Sequence, residues 1–182
     1  MKSTAKEKQI LNTFDDILML SKGSTILSDT GLGFEGSGVD KITIGGWGDG
    51  HRATLAWLAD LFSWDILYKK KGSMSDIVGI VLLDEIEHHL HPSWQRRIIR
   101  QLNRNFPKIQ FIVTSHSPLC AIGTTDLSED IANIFLLRLK NDSSHLIEGG
   151  KSIRGMRADQ VLTSYLFGLE STRSDDTALL IE

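Results

Sequence analysis

At 182 residues, 41% hydrophobic and 24% charged, the chain is long enough for one domain or one large lobe with a buried core. A formal net charge of -3 excludes a whole-molecule basic field that would draw it onto nucleic acid, while local patches stay open. The single cysteine, Cys120, excludes an internal disulfide, and no apolar run approaches the roughly 18 residues of a membrane span. The opening stretch, residues 1–6, lacks the apolar core of a signal peptide, so a cytoplasmic protein without membrane attachment is expected.

Ile10, Leu11, Phe14, Ile17, Leu18 and Leu20 recur at helical spacing and predict a helix over about residues 6–20, stopped by Ser21-Lys22-Gly23-Ser24. The glycine-rich stretch 31–38 and Ile42-Thr43-Ile44 read as short strands joined by a glycine-containing turn. No G-x-x-x-x-G-K-[ST] or G-x-G-x-x-G occurs there or elsewhere in the chain, so residues 31–38 are taken as a hairpin and not a phosphate loop.

Gly45-Gly46-Trp47-Gly48-Asp49-Gly50-His51-Arg52 runs into a helix expected from Arg52 to about Tyr68. Its apolar stripe is Leu55, Leu58, Leu61 and Phe62, widened by Trp57, Trp64 and Tyr68. A glycine-rich loop opening a helix presents N–H groups at the positive end of the helix dipole, which suits an anion. The competing reading is a simple helix start in which glycine permits the turn and Asp49 is the cap. Lys69-Lys70-Lys71-Gly72-Ser73 would close the helix.

Ile77 to Leu83 is apolar except for Gly79 and reads as a strand buried on both faces, ending in Asp84-Glu85. Adjacent carboxylates at the carboxyl end of a parallel strand suit a metal-phosphate site; otherwise they are two solvated acids at a strand-loop junction. Pro92-Ser93 opens the next helix, with Trp94, Ile98 and Leu102 as its apolar line. Arg96, Arg100 and Arg104, with Arg97 beside them, form a basic line that either tracks a phosphate backbone or is a solvated face. Ile109-Gln110-Phe111-Ile112-Val113 is a second strand, ending in Thr114-Ser115-His116-Ser117-Pro118. The strand-helix-strand order predicts parallel pairing, which puts both strand ends on one sheet edge and lets Asp84, Glu85 and His116 converge. A hairpin is expected from residues 133–139 and 145–148 about Asn141-Asp142-Ser143-Ser144, then a helix from Ala158 with Gly168 after it and a polar tail through Asp175-Asp176.

With these motifs in place, the chain resembles the second half of an ATP-binding-cassette (ABC) nucleotide-binding domain. It is similar to the RecF, SMC and OLD ATPases and to AAA-type predicted ATP-binding proteins of bacterial anti-phage systems. The resemblance covers about residues 40–120 and extends, less specifically, to the C-terminal helix. It implies an α/β fold: the parallel-sheet core of an ABC-ATPase-like P-loop NTPase, second lobe only, with flanking helices and a C-terminal hairpin. Residues 1–182 would form that single lobe, with signature loop and helix at 45–70, core at 77–122, and hairpin and helix at 131–170.

By resemblance, residues 80–85 look like a Walker B strand, with Asp84 supporting Mg²⁺ through water and Glu85 orienting the attacking water. His116 looks like the switch histidine at the γ-phosphate of ATP, and His91-Pro92-Ser93 sits at the place of the D-loop. Gly48, Asp49, Gly50 and His51 occupy the place of the family signature, which touches the nucleotide of the partner subunit in a head-to-tail homodimer. Gly48 stands where the family carries serine, removing a hydroxyl bond to a charged group worth about 1.5–3 kcal/mol. The P-loop that a complete member needs does not occur in these residues.

Other chemistries fit less well. Glu85, Glu87, His88, His89 and His91 do not match H-E-x-x-H, and these histidines are read as loop residues near a dimer interface, with a metal-dependent hydrolase as the competing hypothesis. Ser115 and Ser117 lack a G-x-S-x-G elbow, and Cys120 is expected to pack as a small hydrophobe. Too few residues follow the core for a Toprim nuclease, so any DNA cleavage is expected from a partner protein. The alternative to an ATPase is a non-catalytic dimerisation or regulatory lobe with no nucleotide site of its own.

Overall fold

The computed structural model describes residues 4–29, 31–36, 39–68, 76–140, 143–148 and 153–173, which group into two compact units. The first unit comprises the chain through Trp94 together with Gln101–Thr114, and the second comprises Gln95–Arg100 and the chain from Ser115 onward.

In the first unit, the expected N-terminal helix forms as α1, Ala5–Ile17. Thr4 caps it: its hydroxyl accepts the Glu7 N–H at 3.2 Å, and the Glu7 carboxylate accepts the Thr4 N–H at 2.7 Å. Two amide groups that a helix start leaves without partners are thereby satisfied. The helix ends earlier than the apolar spacing suggests, because Met19 turns left-handed at φ 55°. The buried carboxylate of Asp15 then accepts the N–H groups of Gly23 and Thr25, at 2.6 and 2.7 Å. A buried charge needs such partners, and these tie the turn after α1 to the next strand.

That strand, β1 (Thr25–Ser28), pairs antiparallel with β2 (Gly31–Gly36), which pairs with β3 (Val39–Thr43). Helix α2 spans Asp49–Tyr68 and buries Leu55, Leu58 and Phe62. Its buried stripe is narrower than expected, because Trp64 is 56% exposed. The side chain of Tyr68 and the closing segment Lys69–Ser73 lie outside the described residues. Aromatic rings join α1 and α2 to the chain around residues 106–111: Phe14 to Phe62 at 5.2 Å, Phe62 to Phe106 at 5.9 Å, and Phe106 to Phe111 at 6.1 Å.

Strands β4 (Gly79–Leu83) and β5 (Ile109–Val113) pair in parallel, in register from Gly79↔Ile109 to Leu83↔Val113. The parallel pair is as expected, but burial on both faces is not. Ile80 is 66% exposed, Leu82 73% and Ile112 52%. Side chains alternate across a strand, so these three share one face. Among the described residues β4 and β5 pair only with each other, and that face is open.

The helix expected after Pro92 is broken in two, α3 (Pro92–Gln95) and α4 (Ile98–Asn105), yet Trp94, Ile98 and Leu102 are buried as the apolar line requires. In the second unit, the carbonyl of Arg96 at this break lies against Gly123, where an added Cβ would sit 2.4 Å from the oxygen. Gly123 belongs to α5 (Pro118–Thr124). The hairpin forms from β6 (Phe135–Lys140) and β7 (Ser143–Glu148), with Asn141 and Asp142 of its expected turn outside the described residues. The last helix, α6 (Ala158–Leu162), is shorter than expected, and Gly168 follows it at φ 67°. Fully buried Ile153 and Val161 anchor this end, while Asp175-Asp176 lies outside the described residues. No helix among the described residues is long and apolar enough to cross a membrane.

Candidate nucleotide-hydrolysis site

The register of β4 and β5 brings Asp84 and Glu85 beside Thr114. The Thr114 N–H donates to the Leu83 carbonyl at 2.9 Å, and the Thr114 carbonyl accepts the Ile86 N–H at 3.2 Å. Its hydroxyl then makes two further bonds, donating to Asp84 Oδ1 and accepting the Glu85 N–H at 2.8 Å. Glu85 is held at φ 47°, a left-handed conformation that costs a non-glycine residue roughly 1–2 kcal/mol. Two tight turns follow, His88 N–H to Glu85 O and Leu90 N–H to Glu87 O, both at 2.9 Å. Buried Ile86 and Leu90 peg these turns to the core, which leaves the side chains of Asp84 and Glu85 exposed. Glu85 Oε2 lies 3.3 Å from His88 Nδ1, and His91 Nδ1 lies 2.8 Å from Ser93 Oγ.

The glycine-rich loop is built differently. A 3₁₀ turn, Ile44–Gly46, leads to Gly48, whose carbonyl accepts the Arg52 N–H at 3.1 Å and so starts α2. Asp49 is the first helical residue and not the cap. Its carboxylate takes the Arg52 guanidinium at 2.6 Å and sits at the positive end of the helix, where a negative charge is stabilised. Gly50 is buried: a Cβ there would lie 2.3 Å from the carbonyl oxygen of His89, so only glycine fits. His51 packs between Trp47 at 6.1 Å and Trp94 at 4.8 Å, and burial holds its pKa below the ordinary value. Trp94 is fixed in turn by its indole N–H, which donates to the Ile17 carbonyl at 2.7 Å. Of the four signature-like residues, Gly48 and Asp49 are exposed, whereas Gly50 and His51 are engaged in packing.

His116 is exposed and belongs to the second unit. Beside it, Ser117 caps α5 by accepting the N–H groups of Leu119 and Cys120, and donates to Gln95 Oε1 at 2.6 Å. Cys120 is buried, as a small hydrophobe would be. Arg96 of the basic line is committed to a two-bond ion pair with Asp126, at 2.5 and 2.9 Å, which holds that carboxyl below its usual range. Among the described residues, no three of His, Cys, Asp and Glu gather as a metal-binding set. The sequence motifs include Thr114 only as a neighbour of His116 and give it no role. Its only signal is a hydroxyl one residue past a strand whose partner ends in carboxylates.

A family model described as "AAA domain, putative AbiEii toxin, Type IV TA system" matches residues 8–121. The chain belongs to this AAA-domain family. The resemblance to AAA-type predicted ATP-binding proteins is thereby borne out. Relatives include the Septu protein PtuA of Bacillus mycoides (strain KBAB4), 35% identical over 127 residues. Another is the retron Ec83 probable ATPase of Escherichia coli, 38% identical over 137 residues. These alignments cover 70% and 73% of this chain, but the chain spans only 17% and 23% of those relatives. A solved structure from work on ATP-driven dimerization and DNA-stimulated activation of SMC ATPases shares the fold, with a TM-score of 0.52. It is 17% identical and matches over 79% of this chain and 86% of its own. An SMC head bound to the C-winged helix domain of ScpA matches equally, with a TM-score of 0.52 and 16% identity over 80% of this chain and 42% of its own.

Proposed function

We propose that this chain is the ATP-hydrolysing second lobe of an ABC-type ATPase, one that works as a nucleotide-gated dimer in an anti-phage defence system of the Septu or retron kind. The observation that carries the reading is the strand-end arrangement at Asp84 and Glu85, two exposed acids held in register by a hydroxyl from the neighbouring strand. Asp84 fits a Mg²⁺ site: one oxygen is fixed by Thr114, and a hard cation bound with substrate phosphates needs only one or two protein carboxylates. When bound, the ion neutralises phosphate charge. Glu85 orients and deprotonates the attacking water, and His116 contacts the γ-phosphate. Gly48, Asp49, Gly50 and His51 meet the nucleotide of the partner subunit, Gly48 and Asp49 from exposed positions and Gly50 and His51 by fixing the loop.

The β- and γ-phosphate cradle comes, in this reading, from a P-loop lobe elsewhere. That lobe covers the open apolar face of Ile80, Leu82 and Ile112. The small share of the relatives that the chain spans supports the same view. The assembly is cytoplasmic, and a nuclease partner performs any DNA cleavage. In the assembled, P-loop-containing ATPase, Glu85→Gln is expected to lower turnover about 10²–10⁴-fold, the usual worth of a general base, with nucleotide binding retained. Unchanged turnover sinks the reading. The alternative, a non-catalytic dimerisation lobe, is favoured by the use of Gly50 and His51 in packing. It predicts that the 182-residue chain shows no heat with ATP and Mg²⁺ in calorimetry.

A further inference from the structure

We propose that Thr114 is a positioning residue for hydrolysis, its single hydroxyl setting the carboxylate of Asp84 and the backbone of Glu85 against each other. The proposal rests on the roles given to those two acids above. The strand end does not need this hydroxyl for its backbone pairing. Thr114 already completes the ladder through its own N–H to the Leu83 carbonyl and its own carbonyl from the Ile86 N–H. The side chain is therefore additional, and both of its bonds go to the acidic pair. A hydroxyl has one proton to give and lone pairs to accept with, and here the proton is donated to Asp84 Oδ1 while the oxygen accepts the Glu85 N–H.

The consequences differ for the two acids. Fixing one oxygen of Asp84 removes the rotation that would otherwise scatter a lone exposed carboxylate. Accepting the N–H of Glu85 holds that residue at φ 47°, so the turn leaves the strand in one direction and the carboxylate of Glu85 with it. Thr114, Asp84 and Glu85 are all exposed, so water can replace these bonds once the hydroxyl is removed. The fold therefore tolerates the loss while the alignment does not.

The test uses the assembled ATPase carrying Thr114→Val, Thr114→Ser or Glu85→Gln, with turnover measured against Mg²⁺ concentration. Thr114→Val is expected to lower kcat about 10–100-fold and to raise the Mg²⁺ needed for half-maximal rate, as removal of a group that orients a metal ligand does. Thr114→Ser, which keeps the hydroxyl, is expected to retain both values. Adding Thr114→Val to Glu85→Gln is expected to lower kcat less than Thr114→Val does alone, because one of the two positioned carboxylates is already gone. Should the valine variant fail to fold, Thr114→Ala replaces it against the same serine control. Full turnover with an unshifted Mg²⁺ requirement in Thr114→Val or Thr114→Ala overturns the positioning role alone, provided Glu85→Gln is inactive. A serine variant as impaired as valine also overturns it. Unaltered turnover in Glu85→Gln overturns both this role and the reading beneath it.

Discussion

Two loops of the first unit carry residues suited to phosphate chemistry, and they use their backbones in opposite ways. At residues 84–90 the chain spends two buried apolar side chains, Ile86 and Leu90, on holding a turn whose acids face outward. At residues 45–52 the composition is that of an anion loop, yet Gly50 is needed because another backbone presses on it, and His51 is held between two indoles. The loops touch where the His89 carbonyl meets Gly50, so the strand-end turn sets the position of the helix start. A glycine in a motif thus has two possible origins, approach of a ligand or approach of the protein's own chain, and only packing tells them apart.

After the loss expected at Glu85→Gln, the largest effect that sharpens this contrast is at Gly50. Gly50→Ala puts a Cβ 2.3 Å from a backbone oxygen, and relieving it requires the helix start to move. A destabilisation of about 1–3 kcal/mol is expected in denaturant unfolding, even though alanine is the better helix former. Unchanged stability would mean that the contact is slack and that Gly50 is free for a ligand. His51 gives a smaller, pH-dependent effect. Burial lowers its folded pKa from the ordinary 6.5, so as pH falls the unfolded chain binds that proton first. Stability should therefore drop as pH falls below about 6.5 toward the depressed folded value, and level off beneath it. His51→Phe, which keeps a ring between the indoles, should remove that part of the slope in unfolding midpoints taken across the window. The smallest effect belongs to Gly48. Nothing lies closer than 4.0 Å to a Cβ added there, and serine is a better helix cap than glycine. Gly48→Ser is expected to raise stability by a few tenths of a kcal/mol, and a measurable loss would place Gly48 with Gly50 as a packing glycine.

Much of this arrangement is legible in the residues themselves. The β-branched runs at 79–83 and 109–113, separated by a helix-length segment, specify a parallel pair, and Trp94, Ile98 and Leu102 at a four-residue spacing specify which side of α3 and α4 is buried. The acids at 84 and 85 follow from the place where the apolar run stops. The break between α3 and α4 is not legible, because it depends on Gly123 meeting the Arg96 carbonyl from a distant part of the chain. Nor is the ion pair that takes Arg96 out of the basic line, since its partner Asp126 lies 30 residues away.

The sequence by itself determined the order and type of most elements, the parallel pairing of β4 and β5 and the position of the two carboxylates, since these follow from local periodicity and from where hydrophobicity ends. Tertiary structure decided which apolar residues are covered, leaving Ile80, Leu82 and Ile112 open, because an apolar run states that a strand can be buried and not what buries it. It also decided the service of Thr114. A hydroxyl finds its partners through the register Leu83↔Val113, a long-range pairing that no local pattern around residue 114 encodes.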